Sequence, residues 1–227
     1  MKKLAFLFVC TILFTGCSAR NWEYSPRAYK TKYPGTTSIQ ISKFSDARDK
    51  SVNDPFKGGK FALQWVPFVL WSNVTDVSAP EGDLIKMSSM TEVLPKATGM
   101  ELSSTGLFKN VSVMPKSSVP SDYTLSGTII DTHSSKTVSA YGLSFIGNAI
   151  SLFGVPSGNV RNSMTIKYTL TDKNGRKVFE KSYTENSTRP IFIYTELDKG
   201  VFGIQSKVYQ NINRRLIKDL RNIIEYN

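Results

Sequence analysis

Cysteine is nearly absent from this chain, and histidine is rarer still. The 227 residues contain two cysteines, Cys10 and Cys17, and one histidine, His133. So few soft ligands leave no Cys/His cluster with zinc spacing. A Ser-His-Asp or Cys-His centre would have to be built on His133, and no Gly-x-Ser-x-Gly elbow accompanies it. A Walker-type loop is missing, as is a G-x-G-x-x-G after a strand. Asp46, Asp49 and Asp54 lie close together, but a calcium loop needs more oxygen ligands at tighter spacing. Asx turns and a local Arg48 ion pair account for them more simply. The expectation is a protein that is not an enzyme and carries neither metal nor cofactor. Long apolar runs are also lacking. Residues 4–14 are uncharged but reach only about 16 Å as a helix, roughly half a hydrocarbon core. Residues 141–156 are uncharged as well, and are likewise too short to span.

Acidic residues are in short supply: 18 Asp and Glu stand against 29 Lys and Arg, for a formal charge of +11. Such a balance favours anionic partners: phospholipid headgroups, lipopolysaccharide phosphates or acidic wall polymers. Nucleic acid is not expected, because the N-terminus gives the chain a different address. Lys2 and Lys3 precede the apolar run, and the small residues Thr15, Gly16, Cys17 and Ser18 follow it, which is the layout of a secretory signal peptide. Loss of Lys2 and Lys3 with that signal would take the charge from +11 to +9.

The Gly16-Cys17 ending resembles a bacterial lipobox, with Phe14 standing where the family usually has Leu. The resemblance implies cleavage between Gly16 and Cys17, diacylglycerol on the Cys17 sulfur and acylation of the new amino group. Ser18, by the same resemblance to enteric lipoproteins, permits release to the outer membrane. One acyl chain is a marginal anchor, at about 0.8 kcal/mol per buried methylene, whereas three hold permanently. Cys10 would leave with the signal and Cys17 would be capped, so the mature chain would hold no free thiol and no disulfide. That suits an oxidising periplasm.

The expected organisation is a signal at 1–16, a lipidated Cys17 and tether at 17–36, and a single domain at 37–227. Trp22, Tyr24, Tyr29 and Tyr33 in the second stretch suit a membrane interface, with aromatic staples on the domain as the alternative. Residues 37–44 alternate as a first strand, with Ile39, Ile41 and Phe44 inward. An amphipathic helix is expected from Leu84 to Ser104, with Pro95 inside it and Gly106 as its C′ residue. Strands follow at 107–114, at 122–138 with Tyr123, Leu125 and Ile129 on one face, and at 160–171. The last turns through Asp172-Lys173-Asn174-Gly175 into a partner at 176–184. A final helix at 198–224 has Val208, Ile212, Leu216 and Leu220 on one side. The order β-α-β-β-β-β-α implies an α+β, two-layer domain: a mixed, mostly antiparallel sheet of about five strands with two helices on one face.

Two apolar stretches are each open to two readings, buried packing or contact with a membrane or partner. One runs through Phe61, Trp65, Phe68 and Trp71; the other through Phe145, Ile146, Leu152 and Phe153. The polar side of the last helix, with Arg214, Arg215, Lys218 and Arg221, is either a solvated face or a seat for anionic lipid. The segments IQISKFSDARD, WVPFVLW, GLFKNVSV, DYTLSGTI and YGLSFIGNAISLFGVPSG, behind a lipobox, resemble small periplasm-facing lipoproteins of the transport-auxiliary and lipopolysaccharide-assembly kind, a largely uncharacterised group. That resemblance implies an outer-membrane lipoprotein facing the periplasm. Its role would be that of a non-enzymatic accessory subunit of an envelope transport or assembly complex. The alternatives are a module that binds lipid or lipopolysaccharide, and a peptidoglycan-associated structural lipoprotein.

Overall fold

The structure is a computed structural model that describes residues 24–29, 35–48, 72–77, 90–114, 120–139, 154, 156, 158–191 and 200–225. In chain order these give β1 (Ser38–Ile41), β2 (Ser45–Asp46), β3 (Ser72–Val77), α1 (Met90–Thr105), β4 (Asn110–Val113), β5 (Tyr123–Ser139), β6 (Gly158–Asp172), β7 (Lys177–Ile191) and α2 (Gly200–Glu225). The strands form one sheet in the order β4-β1-β5-β6-β7. β5, β6 and β7 are antiparallel neighbours over almost their whole length. The 17 residues of β5 extend about 55 Å. One edge of β5 pairs with β6, and the other takes β1 and β2 in parallel and β3 antiparallel. The sheet is therefore mixed and mostly antiparallel, as the sequence predicts, with β2 and β3 added to the strands expected. β1 and β4 run parallel on either side of the α1 crossover.

Period-two alternation decides which face is buried. Leu125 and Ile129 of β5, Ile166, Tyr168 and Leu170 of β6, and Tyr183 of β7 are fully covered. The opposite face carries Thr124, Ser126, Thr128, Thr165, Lys167 and Thr169. Both helices lie on the apolar face, α1 supplying Leu94, Ala97 and Leu102, and α2 supplying Val208, Tyr209, Ile212, Leu216 and Leu220. A bulge at Ile130 resets the alternation of β5 and turns Ile130 outward. Met90, at the start of α1, packs partly buried against the core, whereas Met100 on the other side of the helix is 47% exposed.

Pro95 sits inside α1 and has no N–H for the carbonyl of Thr91 one turn earlier. The backbone N–H of Phe44 donates to that carbonyl at 3.2 Å, so the helix stays satisfied through the proline. Gly106 closes α1 at φ 63°, the left-handed conformation that a C′ glycine adopts without strain. The predicted helix residues 84–89 lie outside the described residues.

Candidate functional site: an N-terminal strap and the outer face of the last helix

Residues 24–29 fall within the stretch expected to be a tether, yet they lie against both helices. The post they bind is Glu101, on α1. Helical spacing puts it one turn after Ala97 and beside Leu102, on the covered side, and it is fully buried. A buried carboxylate is tolerated only where donors surround it. Here the strap supplies them: the Tyr29 hydroxyl donates at 2.6 Å, the Tyr24 hydroxyl at 3.0 Å and the Arg27 backbone N–H at 3.2 Å. α2 holds the other side of the strap. The Gln210 amide donates to the Ser25 carbonyl at 2.6 Å, the Asn213 amide to the Tyr24 hydroxyl at 3.1 Å, and the Arg27 guanidinium to Asn211 Oδ1 at 3.2 Å.

Behind the strap the polar atoms continue inward. Tyr209 donates to the Leu94 carbonyl at 2.9 Å and lies 3.2 Å from the Tyr168 hydroxyl, which donates to Asn213 Oδ1 at 3.2 Å. Thr98 closes the group against Tyr209. One network thus ties α1, α2, β6 and the strap together. Burial pushes the Tyr168 hydroxyl up to about 12 and raises Tyr209 strongly. Tyr24 and Tyr29 are raised as well, by burial first and then by the carboxylate of Glu101. All four phenols therefore stay protonated at neutral pH and act as donors. The network positions and holds the strap; no member is set up as a nucleophile.

A second cluster fastens α2 to the sheet edge. Asp219 accepts from Lys181 and from the Tyr183 hydroxyl, each at 2.7 Å. Partial burial works upward on this carboxyl, and these two donors outweigh it and hold it below the ordinary range. Arg215 donates to the Thr184 carbonyl at 3.0 Å, lies 3.6 Å from Glu185 and places its guanidinium over the Tyr183 ring.

Of the residues singled out in the sequence, the four cations of α2 are described. Arg214 and Lys218 are exposed on the outer side of the helix, Arg221 is half-buried, and Arg215 is turned to the β7 edge. Gly16, Cys17, Trp65, Phe68, Trp71, Phe145, Ile146, Leu152 and Phe153 lie outside the described residues. Glu101, Tyr209 and Asn213 escape a reading based on motifs. Their signal is a polar residue placed on the apolar side of a helix. Among the described residues no three His, Cys, Asp or Glu side chains could hold a metal ion, and no helix is long and apolar enough to cross a membrane.

No protein-family model matches the chain, and no curated protein matches it. Solved structures do match. A Xanthomonas campestris protein of the family DUF330 shares 12% identity at a TM-score of 0.45, over 88% of this chain and 95% of that one. The Chlamydia trachomatis protein CT253 shares 6% at 0.43, over 86% and 100%. A minor lipoprotein of Acinetobacter baumannii shares 11% at 0.30, over 81% and 90%. A lipoprotein of Neisseria meningitidis is also among the matches. Scores and identities this low decide neither kinship nor function.

Proposed function

We propose that this protein is a lipid-anchored lipoprotein of the bacterial outer membrane, facing the periplasm. There it serves as a non-enzymatic accessory subunit of an envelope transport or assembly complex. The observation that carries the reading is Cys17 itself, placed directly after a basic n-region, a short apolar run and Gly16. The strap gives that placement a mechanical meaning. Tyr24, which is pinned to Glu101 and Asn213, lies only seven positions after Cys17. Fully extended that stretch reaches about 25 Å, so an acylated Cys17 holds the domain next to the bilayer. The sheet and helices then act as a platform, and the apolar stretches at 61–71 and 141–155 are the proposed contacts with the partner complex.

Labelling of growing cells with radioactive palmitate tests the anchor. The wild type is expected to take up label and Cys17→Ser to take up none and leave the membrane fraction. Label on neither, with both equally membrane-bound, overturns it. Crosslinking in intact membranes followed by purification tests the partner. Recovery of bulk lipid with no envelope complex counts against the accessory role. A second reading, a module that binds lipid or lipopolysaccharide, is favoured by the exposed cations of α2. It is tested by native mass spectrometry, in which co-purified lipid supports it.

A further inference from the structure

The strap does more than shorten the tether. It crosses the outer side of the helical layer at Gln210 and Asn211, and Arg214 is close enough for its charge to be felt at the Tyr29 hydroxyl. Lys207, Arg214 and Lys218 recur on α2 at spacings of seven and four, so they share one side of the helix, and all three are exposed. Lys96 of α1 is exposed as well. Among the described acids of the helices and the β7 edge, Glu101 is buried beneath the strap, Asp219 is engaged with Lys181 and Tyr183, Glu185 with Asn211 and Arg215, and Glu92 with Lys43. Among the described residues, what remains on the outer side of the helices is mostly of one sign, near the point where the strap leads back toward Cys17.

We propose that this face, led by Lys207, Arg214 and Lys218, lies against the anionic phospholipid headgroups of the bilayer that carries the anchor. The strap clasped on Glu101 fixes this orientation. The proposal rests on the lipoprotein reading for its source of proximity. Charge complementarity identifies the occupant, since each cation near an anionic bilayer gains attraction that fades within a Debye length. The length of chain supplies the geometry: Tyr24, held by the strap, lies only seven positions after Cys17, and with α2 against the membrane the opposite, Thr-rich face of the sheet turns away from it.

Amine footprinting of the full chain tests this. The protein is reconstituted into vesicles of phosphatidylcholine, with or without phosphatidylglycerol, and treated with a membrane-impermeant acylating reagent. Modification is read at each lysine by mass spectrometry. In vesicles containing phosphatidylglycerol, Lys207 and Lys218 are expected to react several-fold more slowly, and Lys173 and Lys177, on the β6–β7 hairpin and off the outer side of α2, to be unchanged. High salt or Arg214→Glu should restore the reactivity of Lys218. Tyr24→Phe/Tyr29→Phe, which loosens the strap and leaves the anchor in place, should weaken the protection at both positions. Equal reactivity of Lys207 and Lys218 in the two vesicle types overturns the proposal, as does protection shared equally with Lys173 and Lys177. The mass of the reconstituted chain reports acylation of Cys17 separately, so a missing lipid sinks the anchor and an unprotected α2 sinks the orientation.

Discussion

Tyr24 and Glu101 stand 77 residues apart in the chain and meet at 3.0 Å, a phenol donating to a carboxylate that has no exposed surface. Everything that satisfies this buried charge in hydrogen bonds from Tyr24, Arg27 and Tyr29 comes from the strap, so strap and carboxylate depend on each other. Glu101→Ala removes the acceptor and leaves those donors facing a void. It should lower the unfolding free energy by about 2–4 kcal/mol, measured by urea denaturation. It should also expose the Arg27–Ala28 bond to trypsin under native conditions. Tyr24→Phe, which deletes the bond to Glu101 and takes the acceptor from the Asn213 amide, should cost about 1–2 kcal/mol. A Glu101→Ala protein as stable as the wild type, with its strap still protected, would refute this role.

The buried phenols set the alkaline limit of the fold. A tyrosine in the unfolded chain ionises near 10.0, whereas Tyr168 is held at about 12 and Tyr209 well above its ordinary value. As the pH rises past 10 the unfolded state loses protons that the folded state retains. Stability is therefore level below pH 10 and falls from there toward 12, by about 1.4 kcal/mol per pH unit for each group still protonated in the fold. Urea midpoints across this range should show the fall, and tyrosinate absorbance should rise together with unfolding. Tyr168→Phe should flatten the slope, and an unchanged slope would mean that Tyr168 titrates in the fold as it does in the open chain.

Arg214 and Arg215 are neighbours in sequence with different tasks. One helical step is about 100°, enough to turn Arg215 onto the Thr184 carbonyl and the Tyr183 ring while Arg214 faces out. Arg215→Ala should lower stability by about 1 kcal/mol through loss of that bond and the ring contact. Lys218→Ala should change it by less than about 0.5 kcal/mol. Paired denaturation curves for the two variants check the contrast.

Much of the fold is legible wherever the determinants are local. Asp172 accepts from the N–H groups of Asn174 and Arg176, each at 2.9 Å, and Gly175 sits at φ 78°, so the hairpin is written within five residues. Ile39, Ile41, Leu125, Ile129 and the even positions of β6 follow simple alternation. The clasp is not legible, because the donors to Glu101 lie more than seventy residues upstream and no spacing rule links them. β2 is equally hidden: two residues carry no period, and its pairing is fixed by β5 alone. The proposed lipid face was only half visible, since periodicity separates the polar side of α2 from its apolar side but cannot say which cations the sheet edge engages.

Phe44 and Gly127 show what local patterning leaves to packing. Gly127 occupies an inward position of β5 between Leu125 and Ile129, where alternation alone would put a large apolar side chain. The Phe44 ring fills that place and meets Tyr168 edge-on at 5.6 Å. A Cβ added at Gly127 would come within 2.7 Å of the ring, closer than packed carbons tolerate. Gly127→Ala should therefore destabilise the protein by about 1–3 kcal/mol through overpacking. Phe44→Leu vacates part of the space, at its own cost in buried area. If the two positions compete for one volume, the double variant should lose clearly less than the sum of the single losses. Strict additivity in the denaturation cycle would show that Phe44 yields freely, and that the glycine is not held there by the ring.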